Sequence, residues 1–501
     1  MSMKNKKTFL NVIKSFIFLM IFFACFFVVT IVLQRKDSRI KYADFFDEAK
    51  KDHIDVLFMG SSHVINGINP IELFKNYGYT SYDMGGHGSV MQATYWELME
   101  ALDYCTPEWV VVDAYMLEKN YQYLDKMYED TPEQEIKSSI EQLHLNMDTW
   151  PLSKSKIAAI NDLIENQSIR NEFLFEFKIY HSRWTELKGE DYCTVFGKMD
   201  RNSMMGAEMR YDVELFPVTY PYPADGEILP EHTVGQEYLA RIIEECQRKD
   251  IGVVVTYIPF CATMQDRIAA NSAEVIADIY DVPYLNMLDQ DIIDLKTDLN
   301  DLGHLNALGA HKVTSYIGKW LNNNTELEDH RNDDSYANWV EKTKCYDNET
   351  ISLACDNSSL YKQLELLELD NVSSIIYFNQ NSYVFSDVGV KNLISGISGT
   401  DIFASNQGPY IMIKDVPSGR IYEAHGIEGI DGASTSMGTL VYQPVEEMFR
   451  LLYTKENQDY NYLYDDEHLL YDIQIITYSN DTGEVLTHNY YKSYGGQYRT
   501  Y

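Results

Sequence analysis

Two short motifs, separated by about 240 residues, constrain this chain more than any other feature. Gly60-Ser61-Ser62-His63 follows a short apolar run, and Asp301-Leu302-Gly303-His304 precedes an amphipathic segment. A serine hydroxyl becomes nucleophilic when a histidine accepts its proton, and a carboxylate fixes the tautomer of that histidine. The two motifs therefore predict a catalytic triad, with Ser62 as nucleophile, His304 as base and Asp301 as the orienting carboxylate.

Residues 50–325 alternate between short apolar runs and segments with helical spacing. The predicted strands are 53–59, 109–113, 252–258 and 283–287, and the predicted helices include 69–78, 90–104, 233–249 and 275–280. Continuous valine-rich strands are typical of a parallel sheet that is covered on both faces. The pattern predicts an α/β fold with helices on both faces. Ser62 then lies beyond the carboxyl end of the first strand, where such sheets bind ligands.

The order of the motifs, serine first and then aspartate and histidine three residues apart, resembles that of the SGNH (GDSL-like) hydrolase superfamily. The resemblance covers roughly residues 53–322 and implies a flavodoxin-like sheet. It also implies that the backbone N–H groups of Ser62 and Gly88 form the oxyanion hole, with Gly86 as the reserve for Gly88.

The family's third block normally supplies an asparagine side chain to the oxyanion, and this chain departs from that pattern. Ala114-Tyr115-Met116-Leu117 follows the strand 109–113, and no asparagine stands in the expected place. Asn120 or the Tyr115 hydroxyl are possible substitutes, and neither is favoured. Loss of one oxyanion donor typically costs a factor of about 10²–10³ in rate, so the sequence also leaves a non-catalytic member of the fold open.

Each motif residue has a structural alternative. Ser62 alone fits a turn or a helix cap, and His304 alone fits a capping or core histidine. Asp298 competes with Asp301 for the role of orienting carboxylate, but it lies six residues from His304 rather than three. The joint occurrence of the motifs, after a strand and before the last helix of the unit, favours the triad.

The N-terminal region contains an uncharged apolar segment, residues 15–33, which is near the length needed to cross the hydrocarbon core. No small-residue cleavage pattern follows it, which predicts an uncleaved transmembrane signal anchor between a short cytoplasmic tail (1–14) and a juxtamembrane linker (34–50). Basic residues flank both ends of the segment. The short tail and the large body favour a single-pass cell-membrane protein with an extracytoplasmic body.

Composition excludes one class of partner. The chain has 41 Lys and Arg against 76 Asp and Glu, a net charge of −35, whereas nucleic-acid binding requires a cationic face. The cysteines show no zinc-ligand spacing, so no metal and no cofactor are expected. Cys345 and Cys355 either close a small loop in an oxidising compartment or remain isolated thiols.

The anchor, the Gly-Ser-Ser block and the late Asp-x-x-His motif together resemble membrane-anchored acyl-transfer proteins of the DltD type. That resemblance implies work on a cell-envelope glycan or acyl donor, with a membrane-bound O-acyltransferase as a partner.

A long aromatic insertion, residues 115–232, interrupts the SGNH-like domain predicted for residues 51–322. It contains Tyr180-His181-Ser182-Arg183-Trp184 and Tyr220-Pro221-Tyr222-Pro223. Long insertions of this kind form lids or binding walls, although a helical cap packed by its own aromatic residues fits equally well. Four residues are predicted to line the site or contact substrate: His63, His87, Arg183 and Trp184.

The C-terminal region changes character. Residues 323–334 are polar and acidic and are predicted to form a linker, and residues 335–501 to form a separate α+β accessory domain. Its predicted strands include 374–378, 410–413, 471–478 and 485–490, and its predicted helices are 360–367 and 445–453. No catalytic motif occurs there, so it either binds polymer or a partner, or is an inert packing domain.

Three functions remain open from the sequence. The first is an extracytoplasmic SGNH-type serine O-acyltransferase acting on a cell-envelope or exported polysaccharide. The second is a carbohydrate or lipid esterase with the same triad. The third is a non-catalytic binding or scaffold protein on a degenerate SGNH fold.

Overall fold

The structure is a computed structural model. It describes residues 3–34, 42, 45–127, 132–197, 204–211, 213, 226–356, 359–379, 383–405, 408–445, 448–455, 458–461, 471–494 and 497–500. The motif Tyr220-Pro221-Tyr222-Pro223 lies outside the described residues.

One long helix, α1 (Met3–Leu33), precedes the α/β body. Its segment Asn11–Leu33 is long and apolar enough, by length and composition, to serve as a membrane anchor or a signal sequence. The body then begins with β1 (Val56–Met59), α2 (Ser62–Gly67), α3 (Pro70–Tyr77), β2 (Ser81–Asp83), α4 (Met91–Ala101) and β3 (Trp109–Asp113).

The insertion adds a cluster of helices before the body resumes. These are α5 (Glu133–Met147), α6 (Lys154–Leu163), α7 (Gln167–Leu174), α8 (Phe177–Tyr180), a 3₁₀ turn (His181–Thr185) and α9 (Gly189–Phe196). The body continues with α10 (Val234–Arg248), β4 (Gly252–Tyr257), α11 (Met264–Ile279), β5 (Tyr284–Asn286), β6 (Leu299–Asp301), β7 (His304–Leu305) and α12 (Ala307–Asn324).

The central sheet is parallel and has the order β2-β1-β3-β4-β5, the flavodoxin-like order of doubly wound folds. Alternate residues of the strands enter two separate cores. Leu57 and Val110 pack with α4, α10 and α11 on one face, whereas Phe58 and Val111 pack with α12 on the other. The predicted fold class is confirmed, because both faces of the sheet are covered by helices.

Local signals in the sequence set the ends of several helices. The Asn69 side chain accepts hydrogen bonds from the N–H groups of Ile71 and Glu72, and Gly78 ends α3 with a positive φ of 82°. An asparagine N-cap followed by proline, with a glycine at the C-terminal end, is the arrangement that these residue types favour. The predicted helix 69–78 is therefore confirmed.

The C-terminal region contains a second α+β unit. Its elements are α13 (Ala337–Asp356), α14 (Leu360–Glu368), β8 (Ser373–Phe378), α15 (Val388–Ser398), α16 (Ile402–Ser405), β9 (Tyr410–Asp415), β10 (Arg420–His425), β11 (Ile430–Thr435), β12 (Gly438–Val445), β13 (Met448–Lys455), β14 (Gln458–Asn461), β15 (Ile473–Tyr478), β16 (Val485–Tyr494) and β17 (Gln497–Thr500). They form a six-stranded sheet, β10-β9-β8-β15-β16-β17, and a four-stranded sheet, β11-β12-β13-β14.

The predicted helix 445–453 is wrong, because β12 and β13 pair there as an antiparallel hairpin. Short apolar runs fit either structure by periodicity, and the neighbouring strands decide which one forms. Cys345 and Cys355 both lie on α13. Ten residues span about 15 Å of helix, which is too far for a disulfide bond between them.

The polar segment predicted as a linker is held against the α/β body. His330 Nε2 lies 3.3 Å from Asp55 Oδ2, and the Arg331 guanidinium donates to backbone carbonyls at the end of α3. Beyond it, the buried Trp339 of α13 donates to Glu48 at 3.0 Å. The first helix after the polar segment thus packs into the core of the body, and the domain boundary at 323–334 stays a prediction.

Candidate active site

The turn between β1 and α2 presents Ser62. A Cβ atom at Gly60 would lie 2.6 Å from Val64 Cγ2, so the turn leaves no room for a side chain there. Ser61 caps α2, because its Oγ accepts a hydrogen bond from His63 N–H at 3.2 Å. Ser62 is the first residue of the helix and is partly exposed, whereas its neighbours are buried. The sequence thus places one reachable hydroxyl at the carboxyl end of a central strand.

Asp301 and His304 face each other across a small antiparallel hairpin. They are register partners in β6 and β7, and the two residues between them form the turn. This explains the spacing of three, because paired residues of a two-residue hairpin carry their side chains on the same face. The hairpin tip is fastened to the body by a hydrogen bond from Cys261 N–H to the Leu302 carbonyl.

The structure brings Ser62, His304 and Asp301 into one chain of hydrogen bonds. Ser62 Oγ lies 2.9 Å from His304 Nε2. His304 Nδ1 lies 2.8 Å and 3.0 Å from the two carboxylate oxygens of Asp301. These distances are suited to proton transfer from the serine to the imidazole and to fixing of its tautomer by the carboxylate.

The environment of Asp301 favours its ionised form. Partial burial alone raises the pKa of this carboxyl, but the hydrogen bonds from Gly303 N–H and from His304 outweigh burial and hold the pKa below its usual range. An ionised Asp301 is the form that stabilises a positively charged imidazole.

Arg210 also binds Asp301, a contact that the sequence did not predict. Its Nη1 donates to Asp301 Oδ2 at 2.9 Å. Arg210 belongs to a segment of the insertion, residues 204–211, that we call the strap. Glu208 N–H donates to the Ile65 carbonyl of α2, and Ala307 N–H donates to the Arg210 carbonyl. No spacing rule connects Arg210 with Asp301, because 91 residues separate them.

The glycine loop after β2 lies against the nucleophile turn. Gly86 N–H donates to the Gly60 carbonyl at 2.9 Å. The N–H group of Gly86, the reserve for Gly88 in the oxyanion hole, therefore already has an acceptor. A Cβ atom at Gly85 would lie 2.7 Å from the Ser61 carbonyl oxygen, and one at Gly88 would lie 2.1 Å from Gln142 Oε1. The loop thus approaches the turn, whereas Gly88 itself packs against α5. Its role in the oxyanion hole stays a prediction.

Asn146 of α5 holds the glycine loop in place, a contribution that the sequence did not reveal. Its Oδ1 accepts from His87 N–H at 2.9 Å, and its Nδ2 donates to the His87 carbonyl at 3.0 Å. Both backbone polar groups of one residue, His87, are therefore bound by one side chain. The insertion thus shapes the loop that carries Gly88.

The two substitutes considered for the missing third-block asparagine have other contacts. Asn120 Oδ1 accepts a hydrogen bond from Val234 N–H, at the start of α10. The Tyr115 ring stacks on His63 with 3.7 Å between ring centroids. Neither contact supplies a donor at Ser62.

The predicted substrate-contacting residues fall into two places. His63 is buried with its ring centroid 5.9 Å from that of His304, and burial lowers the pKa of His63 to about 3, which keeps it neutral. His87 Nε2 lies 3.6 Å from Glu208 Oε1 of the strap. Arg183 instead donates to the carbonyls of Leu33 and Gln34, at the end of α1.

Trp184 follows Arg183 on the 3₁₀ turn and is 69% exposed. This turn contacts α1 and α8, and these contacts give no support to a substrate-binding role for either residue. Within the described ranges, no group of three or more His, Cys, Asp or Glu side chains is arranged to hold a metal ion.

Asp298, the competing carboxylate, binds other groups than His304. It is fully buried, and its oxygens accept hydrogen bonds from Lys312 Nζ at 2.9 Å and 3.1 Å and from Asp294 N–H at 2.6 Å. These contacts fasten the segment before β6 to α12. Asp298 therefore supports the hairpin rather than the imidazole.

Comparisons with known proteins add little to this geometry. No family model and no curated protein sequence matches the chain. Matching solved structures include a candidate acylhydrolase of Bacteroides fragilis NCTC 9343, 14% identical over 56% of this chain and 95% of that chain. Another is a GDSL-like lipase of Bacteroides thetaiotaomicron VPI-5482, 13% identical over 57% of this chain and 98% of that chain. The TM-score is 0.27 for both, a likeness too low to carry an argument about activity.

Exchange of Asp301 for asparagine tests the orienting role. We expect Asp301→Asn to lower turnover by about 10⁴-fold, the loss seen when a serine-protease triad aspartate is changed in this way, with the melting temperature nearly unchanged. Asp298→Asn should instead lower the melting temperature, because it leaves Lys312 without its charged partner. The measurements are model-ester cleavage and thermal unfolding. A large activity loss confined to Asp298→Asn, at unchanged melting temperature, would contradict the assignment.

Arg210 is expected to act as a positioning residue. The ion pair with Asp301 is about one-third exposed, and such pairs contribute up to about 1 kcal/mol. Arg210→Ala should therefore lower kcat roughly fivefold with KM unchanged, and Arg210→Lys should recover part of the loss. Arg248→Ala, which removes another surface ion pair, is the matched control. Unchanged kcat in Arg210→Ala would exclude the role.

Proposed function

We propose that this protein is a serine acyl-transfer enzyme of the SGNH type, anchored in the cell membrane with its body outside, and that it acylates a cell-envelope or exported polysaccharide. The observation that carries the proposal is the hydrogen-bond chain from Ser62 Oγ to His304 Nε2 and from His304 Nδ1 to Asp301. The flavodoxin-like strand order, with Ser62 at the carboxyl edge of the sheet, supports it further.

The reaction would proceed through an acyl-enzyme. Ser62 Oγ attacks the acyl carbonyl carbon while its proton passes to His304 Nε2, and Asp301 stabilises the resulting imidazolium. The oxyanion would face the N–H groups of Ser62 and Gly88. Collapse of the tetrahedral intermediate releases the leaving group, which takes the proton from His304. An acceptor hydroxyl then gives its proton to Nε2 and attacks the acyl carbon, and collapse of this second intermediate breaks the bond between the acyl carbon and Ser62 Oγ, which takes the proton back from His304.

The identity of the acceptor separates transfer from hydrolysis. The apolar helix α1 would place the body beside envelope polymers, which favours a glycan hydroxyl as acceptor, with a membrane-bound O-acyltransferase supplying the acyl group. An esterase would use water at the same acyl-enzyme. Product analysis with a labelled acyl donor, with and without glycan, distinguishes the acylated glycan from the free acid.

A fluorophosphonate probe tests the nucleophile. The full-length protein in detergent should be labelled, and Ser62→Ala should abolish the labelling, because the phosphonate must bond to Oγ. Ser61→Ala is the matched control, since the Ser61 hydroxyl caps α2 and accepts from His63 N–H; it should keep its labelling. Labelling that survives Ser62→Ala would refute the assignment, and no labelling of the wild type would favour the non-catalytic alternative.

The location of the body can be measured independently of the chemistry. Protease added to intact spheroplasts should digest the body, because the candidate membrane span among the described residues is the apolar part of α1, Asn11–Leu33, which precedes the body. A cytoplasmic marker protein should remain intact in the same sample. Complete protection of the body until the spheroplasts are lysed would reverse the proposed topology.

A further inference from the structure

The helices of the insertion pack against α1 too close to its centre for α1 to cross a membrane alone. The apolar segment Asn11–Leu33 has 23 residues, or about 34 Å of helix, against a hydrocarbon core of about 30 Å. Phe26 and Phe177 of α8 are in ring contact, with centroids 4.9 Å apart. The uncharged stretch before that contact, residues 15–25, is only about 16 Å long.

The insertion follows α1 from this ring contact to the end of the helix. α8, the 3₁₀ turn and α9 all contact α1, and Arg183 binds the carbonyls of Leu33 and Gln34 at 2.6 Å each. If the whole segment Asn11–Leu33 lies in the bilayer, its last third, which the insertion covers, lies within the outer half of the hydrocarbon core. The surface of the insertion beside α1 then lies at the same depth.

The insertion carries large apolar side chains that are exposed to solvent, and two of them, Leu152 and Phe175, line a cavity beside α1. Phe175 is 66% exposed and Phe196 is 74% exposed. Leu152, Trp184 and Tyr192 are exposed on the same group of helices. Exposed patches of this kind mark contact surfaces, and tryptophan and tyrosine are enriched where a membrane meets water. We call the four aromatic residues of this set the aromatic face.

A cavity of about 920 Å³ opens between α1 and the insertion. Phe23, Phe26 and Phe27 line one side, and Leu152, Phe173 and Phe175 line the other. The one lysine in the lining, Lys156, is paired with Glu176 at 3.1 Å and donates to the Trp150 carbonyl at 3.0 Å. Asp148 also belongs to the lining; it accepts a hydrogen bond from the Tyr180 hydroxyl, and its Oδ1 lies 2.8 Å from His144 Nδ1. The charged groups of the wall thus have partners within the protein, and the remaining lining is mostly apolar.

We propose that the aromatic face is inserted in the outer leaflet of the membrane and that acyl chains of membrane lipids fill the cavity beside α1. The inference rests on the anchoring part of the proposed function. Lipid is the occupant that fits, because Phe175 of the aromatic face lines the same cavity as Phe23 and Phe27 of α1, whose exposed apolar surface the bilayer would cover. Trp184 then lies at the headgroup level, where an amphipathic ring is stable, rather than at the substrate.

Site-specific photocrosslinking in a bilayer tests this placement. The full-length chain carrying p-benzoyl-phenylalanine at one position is reconstituted in nanodiscs of phosphatidylcholine and phosphatidylglycerol, irradiated, and analysed by mass spectrometry for lipid adducts. Phe175 and Phe196 are the test positions. Phe22 of α1 is the positive control, and Ile427 of the C-terminal unit, 92% exposed, is the matched negative control.

The expected result is a lipid adduct at Phe175 and Phe196 in a yield comparable to that at Phe22, with none at Ile427. Adducts at Phe22 without adducts at either test position would overturn the inference and leave the anchoring intact. Crosslinks from the test positions to a second copy of the chain would overturn it in favour of a dimer. Absence of adducts at Phe22 would refute both membrane anchoring and the inference, whereas fluorophosphonate labelling of Ser62 would still report on the triad.

Discussion

The hydrogen bond between Ser62 Oγ and His304 Nε2 joins two parts of the chain that are 242 residues apart. The surrounding structure holds the two side chains at this distance. Ser62 belongs to the turn after β1, and His304 to a hairpin that precedes α12. α2 packs against both β7 and α12, and Gly67 at the end of α2 lies close to the Ile258 side chain, since a Cβ atom there would lie 3.2 Å from Ile258 Cγ2. The parallel sheet sets the distance, because its strands end at one edge where both segments meet.

The insertion contributes to three different regions of the molecule. Its strap reaches Asp301 through Arg210, its helix α5 holds the glycine loop through Asn146, and its later helices contact α1. An insertion that acted only as a lid or a binding wall would contact substrate alone. These contacts instead connect the triad, the glycine loop and the N-terminal helix to one group of helices, so the proposed membrane contact and the proposed chemistry would share a scaffold.

The C-terminal unit is joined to the body by buried contacts on both sides of the polar segment 323–334. Leu308 of α12 packs in the core of the C-terminal unit, and Trp339 of α13 packs in the core of the body. Asn392 of α15 donates to Asp294 at 2.9 Å, close before the hairpin of the triad. A segment that is polar in sequence is thus held by ion pairs and hydrogen bonds, and the two units support each other around the base of the site.

The sequence was sufficient to predict those features of the structure that depend on a few neighbouring residues. Buried valine runs, the Asn69-Pro70 helix start, the glycine helix end and the Asp-x-x-His spacing each depend on the geometry of a few neighbouring residues, so they predicted strands, helix limits and a facing carboxylate and imidazole. It failed where structure depends on pairing partners, as in residues 448–453, which form part of β13 because a neighbouring strand satisfies their backbone groups. Only the tertiary structure showed that Arg210 binds Asp301, that Asn146 binds the glycine loop, and that Arg183 binds the end of α1. These contacts join residues far apart in the chain, and no periodicity or motif records which distant side chains a fold brings within hydrogen-bond distance.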